Sequence, residues 1–219
     1  MRINLVEKKD YRNTSFVSND FALGNKKIEF MKEFRKYHPR VRNIHSTVKN
    51  RDNIFNNEFR KLYFEKCAYC GLSTQVIGVS SFEVDHVIPS SILKLDLGYT
   101  YEYINGIENL VSSCQMCNRG KTNYFCNEEY YKLLHPDSNN LPTVFERTEE
   151  YSIEISAEYE SDPVIREFYT QLKLNNQLRR LDYLLMEMKD FCDKNEGEAI
   201  IDEMQKLIIK IENKRRKNY

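Results

Sequence analysis

From Lys26 to Tyr37 the apolar residues Ile28, Phe30, Met31, Phe34 and Tyr37 recur at helical spacing between lysines and arginines, which predicts an amphipathic helix. His38-Pro39 closes it, because the residue before a proline avoids the α region. A second stripe, Ile54, Phe55, Phe59, Leu62 and Tyr63, predicts a helix over about Asn53 to Phe64. Residues 1 to 24 read as irregular, with Asn13-Thr14-Ser15 and Ser18-Asn19-Asp20 as turn material. The run Phe82-Glu83-Val84-Asp85-His86-Val87-Ile88-Pro89 is short and β-rich, and Pro89 discourages its continuation as a central strand. In the stretch Ser90 to Ile107, Tyr99, Tyr101 and Tyr103 are expected to pack at strand spacing, with stacking on bases as the alternative.

Further along, Tyr151, Ile153 and Ile155 alternate with Ser152, Glu154 and Ser156, so Thr143 to Tyr159 is expected to hold one or two strands. Asp162-Pro163 supplies an N-cap and a first-turn proline for a helix to about Asn175. Two more helices are expected over about Gln177 to Lys194 and Glu198 to Lys214, parted by Gly197. Leu178, Leu181, Leu185, Met188 and Cys192 stripe the first of these, as intramolecular core or as a docking face. Lys214-Arg215-Arg216-Lys217 reads as a solvated helix end that complements the macrodipole.

Composition narrows the class. With 219 residues, 41% of them apolar, the chain can bury a core, which excludes wholesale disorder. No apolar run approaches the roughly 18 to 20 residues that span a bilayer. Met1-Arg2-Ile3-Asn4 lacks an apolar leader, so a reducing cytoplasm and no membrane are the expected setting. The 33 basic and 33 acidic side chains cancel. They are nonetheless segregated: residues 26 to 66 carry 12 basic and 5 acidic groups, net +7, and residues 67 to 150 carry 5 and 11, net −6. Such asymmetry points to a charged partner such as nucleic acid, gripped in a salt-dependent way by the basic helices.

Four of the six cysteines form two pairs, Cys67-x-x-Cys70 and Cys114-x-x-Cys117. In a reducing compartment this reads as a structural Zn²⁺ site of four thiolates, with a redox pair as the rival. Cys126 and Cys192 read as small buried hydrophobes. Between and beside the pairs lie Asp85-His86, Asn109 and Asn118-Arg119-Gly120-Lys121. Asp85 and Asn118 offer the hard oxygen donors that Mg²⁺ takes while keeping several waters. His86 has the one side chain whose ordinary pKa lies near neutrality, which suits it to take a proton from water. Asn109 is expected to hold His86 in its tautomer and orientation, and Glu83, two residues before Asp85, to add an outer contact to the metal. Together they are a minimal kit for metal-assisted phosphodiester hydrolysis. His38, His45 and His135 stand outside any motif and receive no role.

The combination Cys67-x-x-Cys70, Val84-Asp85-His86-x-Ile88-Pro89, Asn109-Leu110 and Cys114-x-x-Cys117-Asn118-Arg119-x-Lys121 resembles the zinc-containing HNH endonucleases over about residues 63 to 127. The resemblance implies an α+β protein with a ββα-metal catalytic core and structural zinc knuckles, flanked by mostly helical N- and C-terminal regions. The expected division is a basic helical region over 1–62, the nuclease core over 63–127, and short strands then helices over 128–219. It further implies that His86 activates water, that Asp85 and Asn118 ligate the catalytic ion, and that Asn109 orients the histidine or supports the loop. Asn118 stands where the family often has histidine, and the lack of a second nitrogen favours Mg²⁺ or Mn²⁺. Arg119 and Lys121 become candidate phosphate contacts. The expected substrate is DNA. The rivals are a non-catalytic zinc-stabilised module that binds nucleic acid or protein, and an RNA-cutting toxic effector of an anti-phage defence system. The layout is also similar to defence nucleases that act with an ATPase partner, and a homodimer would suit a double-strand break.

Overall fold

Phenylalanines at helical spacing bring the first helices together. In this computed structural model, which describes residues 9–95 and 97–217, α1 (Gly24–Tyr37), α2 (Ile44–Val48) and α3 (Ile54–Leu62) form the N-terminal layer. Phe30 and Phe34 of α1 meet Phe55 of α3 edge-on, with ring centroids 5.7 and 5.0 Å apart. Asn53 caps α3 by accepting from the Phe55 amide, as its residue type favours. The sequence reading assigned no helix over Ile44–Val48; five residues are too few to show a period, and Asn43 starts the helix by accepting from the Ser46 amide.

The first cysteine pair is followed by α4 (Thr74–Ile77) and β1 (Phe82–His86). A 3₁₀ turn (Ser90–Leu95) and α5 (Tyr101–Ile104) fill the excursion before β2 (Leu110–Cys114) and α6 (Gln115–Lys121). β1 and β2 pair antiparallel, with Phe82 opposite Cys114 and His86 opposite Leu110. The strand spacing expected for the tyrosines fails here. Residues 101–104 are helical, and Tyr99 stacks on Tyr103 across one turn with centroids 5.8 Å apart.

Beyond α7 (Glu128–Leu134) and α8 (Leu141–Val144), β3 (Phe145–Arg147) and β4 (Ile153–Ile155) form the expected hairpin. α9 (Pro163–Gln171) is capped by Asp162, which accepts from the Val164 and Ile165 amides. α10 (Leu178–Lys194) and α11 (Ile201–Lys217) pack on each other, and Leu185 and Met188 meet Ile208 in an internal cluster. The C-terminal basic run is not simply a solvated end: Arg215 is 8% exposed and ion-paired with Asp182 of α10.

One continuous core joins Tyr11, Phe34 and Phe59 to Val111, Phe168 and Met186, so all three stretches of the chain share it. Lys27 and Lys66 are buried as well, and part of the +7 therefore acts inside the fold, while Lys26, Arg35, Arg40, Arg42 and Lys49 are exposed. Lys27 Nζ lies 2.5 Å from Asp137 and donates to the Leu110 carbonyl at 2.7 Å. Tyr63 Oη donates to the Leu110 carbonyl at 3.1 Å and to Asp137 at 2.9 Å. Among the described residues no helix is long and apolar enough to cross a membrane.

Gly120 marks the tightest helix contact. A Cβ there would lie 2.2 Å from the Gln171 carbonyl oxygen at the end of α9, and that neighbour is backbone. Gly120→Ala is expected to destabilise the protein by about 1–3 kcal/mol through overpacking. A denaturant midpoint unchanged by the substitution would contradict this close approach.

Candidate active site and metal centre

The two cysteine pairs converge because the Cys67–Cys70 turn is tied to β2, the Ala68 amide donating to the Ser112 carbonyl at 2.8 Å. Cys114 ends β2 and Cys117 lies one turn into α6, while Cys67 and Cys70 flank a tight turn. Gly71 completes that turn at φ 77°, and a side chain there would meet the Arg12 backbone at 2.5 Å. All four cysteines are buried with their Sγ atoms within 4.8 Å of one another. The Cys70 and Cys114 sulfurs are 3.8 Å apart. A tetrahedral ion with Zn–S bonds of about 2.3 Å sets sulfurs about 3.8 Å from each other, so the donor set fits zinc in number, softness and spacing.

A guanidinium lies against this cluster. Arg179, at the start of α10, donates to the sulfurs of Cys70 at 2.6 Å, Cys117 at 3.1 Å and Cys114 at 3.7 Å, and to the Leu172 carbonyl at 3.0 Å. Burial works against its charge, yet the four sulfurs around it hold its pKa above the ordinary arginine value. Four thiolates around Zn²⁺ carry a net charge of −2, and this guanidinium offsets part of it. Nothing in the spacing around Arg179 announced this role.

The knuckle also reaches the neighbouring strand. Tyr69, between Cys67 and Cys70, donates its hydroxyl to Asp85 Oδ2 at 2.9 Å. Lys121 Nζ lies 3.4 Å from the same oxygen and donates to the His86 carbonyl at 2.8 Å. Burial raises the pKa of Asp85, with Lys121 and Tyr69 pulling it the other way. Lys121 is 1% exposed, which corrects its reading as a phosphate contact: its ammonium is turned inward onto β1. Arg119, by contrast, is exposed.

Side chains alternate across a strand, so Glu83 and Asp85 share the face of β1 under α6. Asn118 of α6 donates its amide nitrogen to Glu83 Oε2, which identifies Oδ1 as its acceptor end. Asp85 and Asn118 thus stand on facing elements, and Glu83 touches the amide. A carboxylate and an amide oxygen are the donors a Mg²⁺-type ion takes while keeping several waters. Among the described residues the four cysteines are the one cluster of three or more His, Cys, Asp or Glu.

His86 leaves β1 on the other face. Its Nε2 is 3.2 Å from Asn105 Oδ1, and its ring lies against that of His45 with centroids 4.0 Å apart. Asn109 does not touch the imidazole. Fully buried, it clamps the loop after β1: Oδ1 accepts from the Ile88 amide at 2.8 Å, and Nδ2 donates to the Ile88 and Ile104 carbonyls at 2.9 and 2.8 Å. These bonds tie the loop after β1 to the turn that follows α5. No motif in the sequence singles out Asn105 or His45. Asn105-Gly106 reads as a turn dipeptide, and His45 has no motif around it.

Burial depresses the pKa of His86 and lowers that of His45 to about 4. His45 Nε2, facing the Val84 carbonyl at 3.2 Å, must carry its hydrogen there. The unfolded chain takes up a proton on His45 near its ordinary value of 6.5, and the folded one resists until about 4. That stability is therefore present above about pH 6.5 and is lost as pH falls through this window. Thermal melts from pH 7 to 4 are expected to show the decline, and His45→Phe to flatten it. Parallel curves for the two proteins would contradict the buried neutral state.

A family model described as HNH endonuclease matches residues 67–124, from the first zinc-site cysteine to just beyond α6. No curated protein and no solved structure matches the chain. Residues 67–124 thus match an HNH endonuclease domain, a class that cuts nucleic acid with a divalent metal, and the clustered cysteines fit a zinc-binding ββα core.

Proposed function

We propose that this chain is an endonuclease, dependent on Mg²⁺ or Mn²⁺, that hydrolyses phosphodiester bonds in DNA. The observation that supports the reading is the packing of α6, which carries Asn118, on β1, which carries Asp85 and His86: Asn118 donates to Glu83, and Lys121 reaches Asp85 and the His86 carbonyl, beside a buried four-cysteine cluster. Asp85 and Asn118 would hold the ion, which supplies charge stabilisation at a phosphate oxygen. His86, kept neutral by burial, takes the proton of the attacking water. Asn109 holds the loop that follows β1, and Tyr69 and Lys121 hold the Asp85 carboxylate. A phosphate at the C-terminal end of β1 is the position that serves both faces of the strand.

A polyanionic substrate is supported by the exposed cations of the N-terminal layer together with Arg119, set against a domain whose own segment is acidic; DNA is the member of that class we propose. Binding through them is expected to weaken with salt, by roughly one counterion per phosphate contact. A cleavage panel with Mg²⁺ or Mn²⁺ over plasmid, single-stranded DNA and RNA tests the reading. Cutting of DNA that EDTA abolishes and Mg²⁺ restores is the expected result. Binding without cutting in every metal would instead favour a zinc-stabilised module, and preferential cutting of RNA would overturn the substrate assignment.

A further inference from the structure

We infer that Asn105 is a positioning residue that sets the tautomer of His86 and thereby selects Nδ1 as its proton-accepting atom. The inference rests on the proposed role of His86 in activating water, and it is carried by hydrogen-bond donors and acceptors alone.

Tyr101 O can only accept, and an Asn105 side-chain atom faces it at 2.9 Å; that atom must be the amide nitrogen. The other end of the amide, Oδ1, therefore faces His86 Nε2 at 3.2 Å. A carbonyl oxygen cannot donate, so Nε2 carries the hydrogen. Neutral imidazole has one hydrogen, and Nδ1 is left with its lone pair. The orientation of the amide is thus determined by a partner outside the pair.

The rest of Asn105 makes the arrangement stiff. Its carbonyl accepts from the Ile44 and His45 amides at 3.2 and 3.3 Å, so the same residue anchors the first turn of α2. That anchor sets His45 with its ring against His86, 4.0 Å between centroids, and its own Nε2 on the Val84 carbonyl. Asn105 is buried, and water does not compete freely for Oδ1. The imidazole of His86 is held at Nε2, walled on one face by His45, and open in chemistry at Nδ1.

In the reaction, water gives a proton to Nδ1 as its oxygen bonds to phosphorus. The opposite P–O bond breaks, and the departing oxygen takes a proton from solvent. The resulting imidazolium keeps Nε2–H on Asn105 Oδ1 and releases the Nδ1 proton to solvent afterwards. Asn105 Oδ1 therefore supports both the neutral and the charged ring.

Histidine-labelled, zinc-loaded protein without added Mg²⁺ reports the tautomer through the ring nitrogen and Cδ2 signals of His86, assigned by comparison with His86→Ala. The expected result is Nε2–H in the parent chain. Asn105→Leu retains the backbone carbonyl that anchors α2 but removes Oδ1. It is expected to mix the tautomers and to lower kcat roughly 10- to 100-fold, the usual cost of losing a group that orients a functional histidine, with KM little changed. Asn105→Asp keeps an acceptor at the same place and is expected to recover most of kcat. A parent chain with Nδ1–H would overturn the inference, as would an Asn105→Leu protein with unchanged ring signals and unchanged kcat. Nε2–H in a protein that cuts no nucleic acid would support the tautomer assignment and overturn the hydrolytic reading, so the two fail separately.

Discussion

Replacing His86 by alanine is expected to reduce cleavage roughly 10²- to 10⁴-fold, the range of a general-base contribution. Zinc content and far-UV circular dichroism should stay at parent levels. The structure explains why the effect should be clean. Among the described residues the imidazole of His86 makes one bond to Asn105 and lies against the face of His45, whereas the hairpin beneath it is held by backbone pairing with β2. The Lys121 contact is to the His86 carbonyl, which alanine keeps. A variant that cuts like the parent would remove His86 from the mechanism. One that loses its zinc would show that the imidazole is structural.

Loss of the zinc ion is the second large effect. Structural zinc sites contribute about 10–16 kcal/mol of apparent binding free energy in small domains. The whole stability of a domain is typically about 5–15 kcal/mol. On those magnitudes the ion decides whether the protein folds. Elemental analysis is expected to find one equivalent per chain, and Cys114→Ser to yield an unfolded or sharply less stable protein. Arg179→Ala should leave the cysteines intact yet lower stability by about 3–5 kcal/mol, the scale of breaking a buried charge pair. Its melting temperature should fall well below that of the parent. Full stability of metal-free protein, or an Arg179→Ala protein that melts with the parent, would contradict the assignment.

Most of the candidate site was legible because its parts are local. Cys67-x-x-Cys70, Asp85-His86 and Asn118-Arg119-Gly120-Lys121 each place their groups within one turn or along one strand, and the helical stripes of α1, α3 and α10 follow the same local logic. What escaped was made by the fold. Asn105 meets His86 from 19 positions away, and Arg179 meets Cys117 from 62. Neither distance leaves a periodicity or a spacing to read. Lys121 was misplaced for a related reason. A lysine at the end of a short helix reads as a surface cation, and only the packing of α6 against β1 shows that its ammonium is turned inward. The tyrosines of the excursion were misread because three alternate residues fit a strand as well as one turn of helix.

The Leu110 carbonyl, which accepts from both Lys27 and Tyr63, has a consequence for how the molecule opens. Leu110 is the register partner of His86, so the strand end that carries the imidazole is pinned by the N-terminal layer. Arg179 pins the other side of the domain from α10. The segment matched by the family is therefore not a cooperative unit of its own. The amides of the β1–β2 ladder are expected to exchange with solvent deuterium when the whole chain unfolds rather than by local breathing, which hydrogen-exchange labelling checks.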